Sequence, residues 1–165
     1  MLENEERKQA IIQVWQAAVA AVSGRQAVLN AIDADSAFAP DLVIAVGKAA
    51  SGMCQGALEC FPHCDALVVT KYDHTDPELL ASEQVQVIES AHPIPDQCSL
   101  DAGRALLDRM RAMPVDSRVL LLVSGGASAL AEALPEDMTL ADLQAVTDEM
   151  IAGGKTIAQI NDRRK

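Results

Sequence analysis

Apolar residues along this chain fall into two rhythms that alternate. The first is a short unbroken or period-two run: Leu42–Val46, Ala66–Thr70, Val85–Ser90 and Arg118–Ser124. Runs of this length, rich in Val, Leu and Ile and bounded by turn residues, predict strands. The second is a spacing of three to four. Ile11, Ile12, Val14, Trp15, Ala18, Val19 and Val22 trace a stripe that predicts an amphipathic helix over 4–23, stopped at Gly24. A further helix is predicted over 25–32, followed by a loop over 33–41 with Pro40 near its end. Between the strand-like runs the pattern predicts helices over 49–60 and 100–113, and beyond the fourth run over 127–134 and 140–151. Lys71–Ala81 is polar, and Pro77 can open a short helix within it. Thr139 and Asp142 form a capping box, Gly153-Gly154 interrupts the last helix, and Lys155–Ile160 can resume it. Strands alternating with helices predict an α/β fold, a parallel sheet flanked by helices with right-handed crossovers.

The fourth run is the most telling. Val119–Val123 leads without a break into Ser124-Gly125-Gly126-Ala127-Ser128. An all-apolar run before a turn suggests a strand buried on both faces. A glycine turn opening a helix aims backbone N–H groups at whatever lies in front, which favours an anion. Ser124 and Ser128 add hydroxyls to that cradle. Its alternative is an ordinary strand-to-helix turn.

Two other strand ends carry unusual residues. Gly47-Lys48 follows the first strand, where Gly47 allows a sharp turn and Lys48 can neutralise a phosphoryl or carboxylate group. A solvated lysine at a helix start is the plainer reading. Ala91-His92-Pro93-Ile94-Pro95-Asp96 follows the third strand. His92 can donate to an anion or move a proton. Equally, the segment is a rigid proline loop in which Asp96 or Ser99 caps the next helix. Ligands in open α/β sheets sit beyond the carboxyl ends of the strands, which is where all three loops fall. Walker A, dinucleotide GxGxxG and GxSxG patterns are all absent.

Composition narrows the picture. The 165 residues suit one domain, and with 50% hydrophobic residues but only four aromatics the core must be built from Ala, Val, Leu and Ile. A net charge of −11 argues against a nucleic-acid surface. No run reaches the roughly 18 apolar residues that a membrane span needs. The N-terminus, MLENEERKQ, lacks the features of a signal peptide, so a cytoplasmic setting is expected. The four cysteines are then expected to be thiols. Cys60, His63 and Cys64 lack the second cluster that a zinc site would need, so no metal ligand is assigned.

Taken together, these motifs resemble the class II glycerate kinases, also labelled hydroxypyruvate reductases. VIAVGKAASGM (Val43–Met53) resembles that family's GKAA turn, and SAHPIPD (Ser90–Asp96) its GHPxPD loop, with Ala91 in place of the glycine. SGGASAL (Ser124–Leu130) resembles its SGG turn, and GGKTIAQINDRRK (Gly153–Lys165) the opening of its GAxIxxxNxVRKHLSxxKGG segment. The resemblance implies a partial, truncated N-terminal Rossmann-like domain over 1–165, with the C-terminal domain absent. The family's enzymes have two domains and more than twice this length. It implies a parent that transfers the γ-phosphoryl group of ATP to D-glycerate, with Mg²⁺, giving 2-phosphoglycerate. Lys48 then matches the catalytic lysine. Gly47, His92, Ser124, Gly125, Gly126, Ser128 and Arg164 match substrate- or phosphate-binding positions. Expected partners are glycerate and a nucleotide, with no cofactor required for folding. The chain alone is expected to be inactive, and to self-associate through surface that the missing part would cover. A non-catalytic anion-binding or protein-interaction module is the competing reading, and an unrelated sugar-phosphate-binding domain a third.

Overall fold

The computed structural model describes residues 2–32, 37–156, 158, 159 and 162. The four apolar runs become β1 (Leu42–Val46), β2 (Asp65–Lys71), β3 (Val85–Ser90) and β4 (Val119–Val123). The helical segments become α1 (Leu2–Ala21), α2 (Gly24–Ala31), α3 (Ala50–Cys60), α4 (Pro77–Leu80), α5 (Gln97–Arg111), α6 (Ala127–Leu130) and α7 (Leu140–Ala152). All strands pair in parallel in the order β3-β2-β1-β4. Leu42 aligns with both Asp65 and Val119, and Ala66 with Val85. The chain steps outward from β1 to β3, then crosses back to the other side of β1. The helices that follow β1 and β4 pack on opposite faces of the sheet, so the carboxyl ends of these two strands mark the switch point where open α/β sheets hold ligands.

β1 is buried along its whole length. On one face Val43, Ala45 and Val68 pack with Val28 of α2 and Ala50, Cys54 and Ala57 of α3. On the other, Leu42, Ile44, Val46 and Val69 pack with Ala102 of α5 and Leu130 of α6. Each fully buried Val, Leu or Ile contributes roughly 1.5–3 kcal/mol. The sheet is therefore anchored most firmly where it presents Gly47-Lys48. Burial pushes the Cys54 thiol up to about 12, which keeps it an inert packing group.

Several expectations are corrected. Among the described residues β4 is an edge strand, not a strand buried on both faces: it pairs with β1 alone, and Leu121 and Val123 are each 58% exposed. An unbroken apolar run fits an uncovered edge as well as a centre, and strand order decides between them. The stripe of α1 does not enter the core either, since Val14 is 71% and Trp15 64% exposed. Gly24 opens α2 instead of closing α1, because the Ser23 hydroxyl accepts from the Gln26 N–H and starts a new helix. α5 begins at Gln97, three residues before the expected start. Asp96 and Ser99 share one capping box there, so both candidate caps act together. α6 is only four residues long, because Ala131 turns extended and the next residue, Glu132, donates its N–H to Ser99 O of α5. The Thr139–Asp142 capping box starts α7 as expected. Of the expected helix over 155–160, residues 158 and 159 are helical, and residues 157 and 160 lie outside the described set. Among the described residues no helix is long and apolar enough to cross a membrane.

Candidate functional site

The parallel ladder between β1 and β4 continues past its ends. Ser124 N–H donates to Val46 O at 2.9 Å, and Lys48 N–H donates to Gly125 O at 3.0 Å. Ala49 N–H donates to Ser124 Oγ at 3.0 Å, so the serine of one turn holds the start of α3 in the other. Gly47 sits between them at φ +123°, and a Cβ there would lie 2.2 Å from Ser124 Oγ. The two loops can interlock only because that position has no side chain. The Ser124 hydroxyl thereby serves the scaffold.

A third loop closes on the pair. Gly126 adopts φ +94°, and a Cβ built on it would fall 2.9 Å from His92 Cδ2 and 3.3 Å from Lys48 Cγ. The His92 ring, the aliphatic stem of Lys48 and the Gly126 backbone thus lie nearly in contact. Lys48 runs over the turn, its Cε 3.9 Å from the Cβ position of Gly125, and the residue is exposed. Gly47, Lys48, His92, Ser124, Gly125 and Gly126, chosen from three separate stretches of sequence, are therefore brought together at the switch point. Ser128 lies exposed on α6. Arg164 lies outside the described residues.

A four-residue α6 has little macrodipole. The eleven-residue α3 is the longer dipole, and its N-terminus directly follows Lys48. The site thus combines an exposed lysine, the N-terminus of α3 and the backbone of a glycine turn. This set suits a phosphoryl or carboxylate oxygen.

Tyr72 and Gln144, which the sequence patterns did not mark, join the expected cap residues Asp96 and Ser99 in holding the His92 loop in place. Asp96 Oδ1 accepts from Ser99 N–H at 3.0 Å and Ala91 N–H at 3.3 Å, while Tyr72 donates its hydroxyl to Asp96 Oδ2 at 2.5 Å. Ser90 donates to Leu130 O, and Gln144 of α7 donates to Pro95 O at 2.8 Å. Tyr72 is the only tyrosine and directly follows a strand, a signal that could have singled it out. Nothing in the pattern around Gln144 does so. Burial works to raise the Asp96 carboxyl, but hydrogen bonds from Tyr72, Ala91 and Ser99 outweigh it and hold the group below its ordinary value. The Tyr72 hydroxyl is raised, chiefly by donating to Asp96.

A carboxyl depressed in the folded state adds stability above its unfolded value, about 4. That stability is lost as pH falls through the folded value. Tyr72→Phe should lower stability at pH 7 by about 1 kcal/mol and shrink the further loss between pH 5 and pH 2. Urea unfolding at the three pH values checks both, and parallel profiles for the two proteins would count against the clamp.

Comparisons with known proteins place the chain in a family. The family model described as "Domain of unknown function (DUF4147)" matches residues 10–165. A D-glycerate 2-kinase from Thermotoga maritima is 30% identical across 100% of this chain, which covers 39% of that protein. A relative from Agrobacterium vitis that carries the hydroxypyruvate reductase name is 31% identical over 96% of the chain and 35% of its own length. The crystal structure of a glycerate kinase from Thermotoga maritima superposes with a TM-score of 0.76 at 27% identity, over 95% of this chain and 37% of that one. The chain therefore spans little more than a third of the length of these relatives.

Proposed function

The chain belongs to the DUF4147 family, and from that premise we propose that it builds one wall of an ATP-dependent D-glycerate kinase. The observation that carries the proposal is the meeting of Lys48, His92 and Gly126 at the switch point between β1 and β4. In the reaction proposed, a hydroxyl oxygen of D-glycerate, taken as the 2-hydroxyl, forms a bond to the γ-phosphorus of ATP. The bond from that phosphorus to the bridging oxygen breaks, ADP leaves with that electron pair, and the hydroxyl proton passes to solvent. Charge spreads over the oxygens of the group in flight. The Lys48 ammonium lies over the Gly125–Gly126 turn, where it would neutralise that charge. Free N–H groups of the turn would hold one of those oxygens, and His92 would donate to the same anion from the other side. Such groups act by position, so the Gly47–Ser124 interlock and the Asp96 clamp contribute by keeping Lys48 and His92 in register.

Mg²⁺ is expected with the nucleotide, where it would supply charge neutralisation between phosphate oxygens. Among the described residues no three His, Cys, Asp or Glu side chains cluster to hold a metal ion. Protein that carries this chain at the length of its curated relatives should release ADP from ATP only when D-glycerate is present. ADP release that is absent, or indifferent to glycerate, would remove the assignment.

A further inference from the structure

Lys48 also borders a second, shallow cleft of about 450 Å³ that the site above does not use. Ser51 and Gln55 of α3 line one side, and Asp73, His74 and Asp76 of the loop after β2 line the other. That loop is held rigidly. Glu89 of β3 accepts from Thr75 Oγ1 at 2.8 Å, Thr75 N–H at 3.2 Å and His74 N–H at 3.3 Å through a single carboxylate oxygen. Asp76 N–H donates to Ser51 Oγ at 2.9 Å, which ties the loop to α3. Asp73 stands in the left-handed region at φ +60°. Its carboxylate accepts no hydrogen bond from the described residues, whereas Glu89 and Asp76 are engaged by the backbone.

The unspent polar groups in this cleft are mainly acceptors. His74 Nδ1 lies 3.2 Å from Tyr72 O, a carbonyl, so in the neutral ring Nδ1 carries the proton and Nε2 is an acceptor. Asp73 offers carboxylate oxygens, and the Gln55 amide both donates and accepts. Acceptors of this kind complement hydroxyl groups. The Asp73 and Asp76 carboxylates would repel a phosphate placed among them. Lys48 at the rim provides for an anionic group on the same ligand.

We infer that this cleft binds the hydroxyl-bearing end of a ligand whose anionic group lies against Lys48, with Asp73 as the specificity-determining acceptor. The inference rests on the kinase reading for its two candidate sources, the hydroxyls of glycerate and the ribose hydroxyls of ATP. Both present adjacent O–H groups beside an anion.

Amide NMR of the 165-residue chain tests it, with D-glycerate, ATP, 2′,3′-dideoxy-ATP and inorganic phosphate as probes. D-glycerate or ATP should shift the Gln55, His74 and Thr75 resonances, and inorganic phosphate should shift those of Gly125 and Gly126 alone. Asp73→Asn, which tolerates the left-handed backbone, should weaken the loop response by about tenfold and leave the phosphate response unchanged. A response to glycerate assigns the hydroxyls to the acceptor. A response to ATP that dideoxy-ATP fails to produce assigns them to the ribose. Phosphate moving the loop as strongly as either ligand, an indifferent Asp73→Asn, or a loop silent to every probe overturns the inference. A loop silent to every probe beside a phosphate-responsive Gly125–Gly126 turn leaves the Lys48 reading standing. Loss of glycerate-dependent ADP release in the longer protein, with the loop still responsive, overturns the kinase reading instead.

Discussion

Replacing Lys48 with alanine is expected to lower glycerate-dependent ADP release by about 10²–10³-fold, the size of effect found when one preorganised charge-stabilising group is removed. The loss should fall mainly on kcat, because the charge that Lys48 meets is largest while the phosphoryl group is between oxygens. Stability should hardly change. Lys48 is exposed, its side chain lies over a glycine turn, and its backbone N–H bond to Gly125 O survives the substitution. Surface changes of this kind usually stay within about 0.5 kcal/mol. Lys48→Arg is a useful companion. It keeps the charge but carries a larger planar head past the His92 ring, so it should recover only part of the rate. An alanine variant with an unaltered rate would take Lys48 out of the chemistry.

The largest structural loss is expected from Gly47→Ala. The position adopts φ +123°, which disfavours any side chain by about 1–3 kcal/mol. The new methyl would also lie 2.2 Å from Ser124 Oγ and 2.6 Å from Ser124 O. Ser124 cannot withdraw without breaking its bonds from Ala49 N–H and to Val46 O, so overpacking adds about 1–3 kcal/mol more. Together the cost should reach about 3 kcal/mol or more. Gly154 serves as the control. It too has positive φ, at +63°, but nothing lies within 4 Å of its Cβ position. Gly154→Ala should therefore cost only about 1–2 kcal/mol. Chemical denaturation of both variants measures the difference, and equal losses would show that the interlock with Ser124 contributes nothing.

Much of this arrangement was legible beforehand, for physical reasons that differ by element. β1 and β3 match their predicted runs, and β2 and β4 differ by one residue at each end, because short β-branched and leucine-rich runs between turn residues permit little else. The glycine turns were legible because only glycine tolerates what they require. His92 was marked by its prolines and Lys48 by its place after a strand. Tyr72 and Gln144 were missed because their roles are contacts across the fold. Asp73 and His74 were missed because the loop after β2 is polar throughout, and its shape comes from Glu89, a residue on another strand.

The amino-acid pattern by itself therefore determined the alternation of strand and helix, the parallel α/β class and the place of three glycine- and proline-bearing loops at strand carboxyl ends. Hydrophobic period and turn chemistry are local quantities, and those features depend on nothing else. Tertiary structure alone decided that β1 lies in the interior and β4 at the edge, that the stripe of α1 stays exposed, and that α6 ends after four residues. Each depends on which surfaces meet, and a run such as Val119–Val123 carries the same residues whether a neighbouring strand covers it or not.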